Sequence, residues 1–73
     1  MNNDTTIGQN VRKYRRDANV TQEALGRHLD VCGNAVAHYE KGINRIAAGR
    51  IPIIAAFLGC TLEDLFEGTE DKV

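Results

Sequence analysis

The 73-residue chain predicts an all-α fold, with five short helices forming one compact domain. Apolar residues recur at helical spacing in five separate stretches, each opened by a capping residue or closed by glycine. Strand-forming material is sparse: tryptophan is absent, proline occurs once and aromatic residues make up 5%. Residues 1–5 read as a flexible N-terminal arm, 6–66 as the folded domain and 67–73 as a polar C-terminal tail.

The first helix opens at Thr6, with Gln9 completing a capping box. Ile7, Val11, Tyr14 and Ala18 follow at helical spacing, and Asn19 suits the left-handed stop. Thr21 caps the second helix, which carries Leu25, His28 and Leu29. The third bears Val36 and Tyr39 and ends at Gly42. Residues 43–46 form a loop. Ile51, Ile54, Ala55 and Leu58 mark the fourth helix, closed by Gly59. A mid-helix proline costs about 3 kcal/mol, so Pro52 belongs in the first turn, with Ala48 or Gly49 near the cap. Thr61 and Asp64 give another capping signature, followed by Leu62, Leu65 and Phe66 in a short fifth helix.

The stretch "ALGRHLDVCGNAVAHY" (residues 24–39) is rich in small side chains. Helices this short are not stable alone and must pack together. Gly26 supplies the gap for a close crossing. Leu25, Leu29, Val31, Val36 and Tyr39 seal the pair against the first and fourth helices.

This arrangement resembles a helix-turn-helix. More specifically, the chain is similar to the lambda-repressor-like DNA-binding domain, also called the Cro/CI or XRE type. The segments "IGQNVRKYRRDANVTQEALGRHLDV", "AVAHYEKGINRI" and "LGCTLEDLF" carry the resemblance, in family order and spacing over residues 6–66. The resemblance implies that the third helix reads the DNA major groove by its N-terminal part. Gly33, Asn34, Ala37 and His38 fall at base-reading positions. Asn34 can pair bidentately with adenine, worth about 1–3 kcal/mol of discrimination. His38 can donate to a guanine acceptor or a phosphate, while Gly33 and Ala37 offer close approach. Gln22, Lys41, Asn44 and Arg45 match phosphate-contacting positions, which add affinity without sequence information. Arg12 and Arg16 either add long-range attraction or are plain surface charges. Arg15 and Glu40 match a partly buried ion pair that orients the third helix.

Three residues depart from the family pattern. Asp30 stands where glycine is usual, in a left-handed turn that Asp tolerates at modest cost. It also sets a negative charge near the DNA side. Cys32 stands at the cap of the third helix, where sulfur is a poor acceptor, so Asp30 or Asn34 is expected to share that role. Gly33 lacks a base-reading side chain, which shifts specificity toward Asn34, His38 and DNA shape.

Composition excludes more than it identifies. A domain this small buries only about 60% of its unfolded surface, which leaves no room for a core and a deep substrate cavity together. No nucleophile–base pair stands out, and enzymatic activity is not expected. His28, Cys32, His38 and Cys60 lack zinc spacing, so neither a metal nor a cofactor is expected. A thiol at a helix start admits redox sensing, although Cys32 also fits as a small filler. No apolar run approaches the about 18 residues of a membrane span, and the N-terminus has no signal-peptide pattern. The expected location is the cytoplasm, with both thiols reduced.

Net charge is −1, but it is unevenly distributed. Seven basic residues face five acidic ones in residues 1–45, and two face five in 46–73. A polyanion partner on the N-terminal side is therefore permitted. The function expected is a sequence-specific transcription regulator binding double-stranded DNA as a homodimer. Repression is favoured over activation because blocking a promoter needs no further contact surface. The expected dimer surface is the fifth helix and the preceding turn, through Phe57, Leu62, Phe66 and exposed parts of Ile51; each also fits a core position. The alternative is a protein-interaction module, an antitoxin or adaptor, with weak DNA binding. The acidic total and the small side chains of Gly33 and Ala37 favour that alternative slightly.

Overall fold

The first helix starts earlier than its capping signature implies. In the computed structural model, which describes residues 3–68, α1 spans Asn3–Asp17. Thr6 therefore lies inside the helix and is not its cap. Asp4 stabilises the first turn through the helix dipole. Thr5 packs against Gly42, where any added Cβ would come 2.8 Å from the Thr5 Cα. Residues 3–5 are thus part of the folded helix rather than an arm. Met1, Asn2 and residues 69–73 of the expected tail lie outside the described residues.

The other helices are α2 (Gln22–Leu29), α3 (Gly33–Lys41), α4 (Ile51–Leu58) and α5 (Leu62–Phe66). Asn19 adopts the expected left-handed conformation after α1, at φ 59°. Thr21 caps α2, accepting from the Ala24 amide at 3.0 Å. Asp30 closes α2 with φ 64° and ψ 39°, the strained position foreseen for it. Gly42 and Gly59 close α3 and α4 in the same left-handed region. At α5 the capping box is complete: Thr61 accepts from the Asp64 amide, and Asp64 accepts from the Thr61 amide, both at 3.0 Å.

Pro52 sits in the first turn of α4, as its missing amide requires. The cap differs from expectation. Ala48–Arg50 form a 3-10 turn that runs directly into α4, so Arg50, not Ala48 or Gly49, holds the cap position.

All five helices contribute to one core. Val11, Leu25, Val36, Ile54 and Leu65 are fully buried. Each such side chain contributes about 1.5–3 kcal/mol relative to exposure. Leu29, Ile46, Ile51, Ala55 and Leu58 complete the cluster, with Val31, Tyr39 and Tyr14 packed half-buried against it. Two glycines set the helix spacing. A Cβ on Gly26 would approach the Val31 carbonyl oxygen to 2.7 Å, so the α2–α3 turn closes over it. Gly8, which sequence reasoning passed over, does the same for α1 and α3: a Cβ there would overlap the Tyr39 carbonyl oxygen. Asn10 ties α1 to the end of α5, its Nδ2 donating to the Leu65 and Glu67 carbonyls at 2.8 Å each. Those carbonyls lie at and just past the last turn of α5, where helix carbonyls lack partners within the helix.

Candidate nucleic-acid interface

The residues of α3 separate by face. Val36 and Glu40 are buried, whereas Asn34, His38 and Lys41 are exposed. Asn34 and His38 lie four apart and so share one side of the helix. Gly33 and Ala37 are half-buried beside them. The four predicted base-reading residues thus fall together on and beside one exposed face. A Cβ on Gly33 would meet the Glu23 Cγ at 3.1 Å, so the missing side chain also lets α3 pack closely on α2.

The start of α3 carries no side-chain cap. Cys32 holds the cap position, at φ −80° and ψ 162°, and makes no capping hydrogen bond. Neither Asp30 nor Asn34 replaces it, contrary to expectation. Asp30 is committed to the left-handed close of α2, and Asn34, one residue inside the helix, makes no capping hydrogen bond.

The far end of α3 is held by a polar clamp. Glu40 is 5% exposed. Its Oε2 accepts from the Arg15 Nε at 2.5 Å, and its Oε1 from the Arg15 Nη2 at 3.3 Å. Arg15 Nη1 donates to the Val20 carbonyl at 2.8 Å, so one guanidinium links α1, the α1–α2 turn and α3. Such a forked pair fixes angle as well as position. Gln22 joins the clamp, donating through Nε2 to Glu40 Oε1 at 3.0 Å. The amide expected to face a phosphate is therefore turned toward Glu40. No sequence signal separates those two uses of the first residue of α2.

Lys41, Asn44 and Arg45 are exposed at and after the end of α3. Arg45 lies 3.6 Å from an Asp4 carboxylate oxygen, with its side chain 81% exposed. A pair this open is worth little and is readily exchanged.

On α4 and α5, Phe57, Leu62 and Phe66 are exposed rather than buried in the core. Ile51, 7% exposed, belongs to the core, the alternative weighed for it, and leaves the candidate surface to the other three. Ile53, one turn before Phe57, is exposed instead. The Phe57 ring stacks on His28, with centroids 4.1 Å apart and planes 15° from parallel.

Cys32 is an exposed thiol. Burial, reinforced by the nearby Asp64 carboxylate, pushes the Cys60 thiol above its ordinary value. Among the described residues, no group of three or more His, Cys, Asp or Glu could hold a metal ion. None of their helices is long and apolar enough to cross a membrane.

A family model described as a helix-turn-helix domain matches residues 6–67. The chain is similar to an uncharacterised HTH-type transcriptional regulator, y4wC, of Sinorhizobium fredii. The two are 37% identical over 70 residues, 96% of this chain and 49% of the relative. This chain spans about half the length of the curated relatives it matches. In structure it is similar to the hypothetical transcription factor NHTF from Neisseria, at TM-score 0.77 and 26% identity, over 88% of this chain and 74% of that one. The P22 c2 repressor, solved with a synthetic operator, shares the fold at TM-score 0.74 and 22% identity, over 85% of this chain and 94% of that one. On the match of its sequence and the order of its helices, the chain belongs to the helix-turn-helix domain family.

Proposed function

We propose that the chain is a sequence-specific transcription regulator that reads double-stranded DNA with α3, as a homodimer and as a repressor. One observation carries the reading: Asn34 and His38 project from the exposed face of a helix whose opposite face is buried and clamped. A reading helix must offer polar groups at a fixed angle, and the Arg15–Glu40–Gln22 clamp supplies that angle. Lys41, Asn44 and Arg45 flank it and bind phosphates, with Arg45 exchanging Asp4 for DNA. The Gln22 side chain either leaves Glu40 on binding or stays, leaving its backbone amide at the start of α2 to meet the phosphate. The fold shared with an operator-bound repressor and the names of the relatives support this reading. A DNA partner also places the protein in the cytoplasm.

Dimerisation runs through Phe57, Leu62 and Phe66. A lone domain of this size makes few base contacts, and two-fold pairing doubles them on half-sites about one helical turn apart.

Glu23 favours a second reading. It lies beside Gly33, Asn34 and Cys32 in a shallow groove of about 260 Å³ and adds negative charge to the face that would meet phosphates. An adaptor or antitoxin would tolerate that charge. Binding to random-sequence duplex, measured against salt, separates the readings. A DNA binder loses affinity steeply, with a log–log slope of about −0.9 per phosphate contact. A flat or absent response favours the adaptor.

A further inference from the structure

We propose that α1 carries a second DNA-contacting surface, in which Arg12 and Arg16 continue from Lys41 as a basic track that seats phosphates of the duplex backbone. The proposal rests on the DNA-binding reading above and extends it to an element outside the helix-turn-helix.

Two open grooves meet at Arg12. One, of about 430 Å³, brings Gln9 and Arg12 of α1 together with Gln22, Ala37, Glu40 and Lys41. The other, of about 710 Å³, runs along α1 past Arg12, Lys13, Arg16 and Asp17. Ala37 and Lys41 belong to the face assigned to DNA, so Arg12 opens on the same side.

The charge balance favours an anion. Arg12, Lys13, Arg16 and Lys41 line the two grooves, against the carboxylates of Asp17 and Glu40. Glu40 is buried and already bound by Arg15 and Gln22, so its charge is compensated from within. Neither Arg12 nor Arg16 has a salt-bridge partner among the described residues. They stand four apart on α1, an arrangement of like charges that disfavours the helix unless something neutralises it. Their separation along the axis is about 6 Å, one helical turn, which suits successive charges of a strand better than a single small anion.

The test compares wild type with an Arg12→Ala/Arg16→Ala double variant, both titrated with random-sequence duplex across a salt series. The expected result is a log–log slope shallower by about 1.8, the loss of two phosphate contacts. Base preference stays unchanged, since phosphate contacts carry no sequence information. Both side chains are exposed, so the thermal midpoint should hold or rise. Arg27→Ala, which removes an exposed cation of α2 outside both grooves, should leave the slope at the wild-type value. An unchanged slope in the double variant overturns the proposal. So does an equal loss per charge at Arg27, which would reduce the effect to net charge. If wild type itself shows no salt-dependent binding, the DNA-binding reading fails first and the track fails with it.

Discussion

The helices α3 and α5 begin in opposite ways. At α5, Thr61 and Asp64 satisfy each other's amides in a complete capping box. At α3, Cys32 holds the same position and no side chain caps the helix. Of these two, the helix assigned to reading DNA is the one without a side-chain lock at its start, a feature it shares with α4. Its angle comes from elsewhere: the Arg15–Glu40–Gln22 clamp at its far end, and the backbone contacts that Gly8 and Gly26 permit. The lesson is a division of labour. Tertiary contacts orient the reading helix from behind, and its leading end stays open to a partner. The five-residue α5 cannot persist alone, so it relies on its cap and on buried Leu65.

If α3 is held from behind, the largest losses should come from the clamp. Glu40→Ala leaves Arg15 buried without its partner, which costs about 3–5 kcal/mol in chemical denaturation. Arg15→Ala should behave alike. A double change to apolar residues of matching shape should recover much of that stability while weakening DNA binding, because the angle is no longer specified.

The glycines come next. Gly8→Ala and Gly26→Ala each force a Cβ into backbone, and such overpacking costs about 1–3 kcal/mol. Gly49 is the contrast: a Cβ there meets nothing within 4 Å, and its φ is not left-handed. Gly49→Ala should therefore be neutral or stabilise by up to about 1 kcal/mol, read from thermal midpoints.

The two helix starts should respond in opposite directions. Thr61→Ala should cost about 1 kcal/mol, whereas Cys32→Ser should gain a similar amount by supplying the missing acceptor. Equal responses at the two sites would contradict the difference described above.

The thiols give the smallest effect. Iodoacetamide at neutral pH should label Cys32 well before Cys60, as read by mass spectrometry. Cys60 is less exposed, and its raised value keeps it protonated to higher pH. By linkage, the stability Cys60 contributes is complete below its unfolded value and is lost as pH rises through the folded one.

Features written in local pattern were legible in the sequence. Thr21, Thr61, Asn19, Gly42 and Gly59 sit where capping chemistry placed them, and Asp30 takes the left-handed turn that the family resemblance implied. The Arg15–Glu40 pair was legible only through family resemblance, because the two residues are 25 positions apart. Features set by long-range contact were not legible. Thr6 reads as a cap, yet Asp4 and Thr5 extend α1 toward the close of α3. Gly8 looks like a weak helix residue until the Tyr39 carbonyl is placed against it. Helical spacing grouped Ile51 correctly with Ile54, Ala55 and Leu58, but it gave no sign that Ile53 would be exposed on α4. Two positions apart on α4, Ile51 and Ile53 face different sides of the helix, and only Ile51 meets the core.

If the leading end of α3 reads bases from an angle fixed by the clamp, Asn34 should set the preferred base at one position of each half-site. The most direct test is selection of bound duplexes from a random pool, run in parallel with wild type and Asn34→Ala. Wild type should enrich a two-fold symmetric site. The variant should lose preference at one base pair per half-site, a discrimination of about 1–3 kcal/mol, while keeping its dependence on salt. An enriched pool without consensus, or the same consensus from both proteins, would contradict the account.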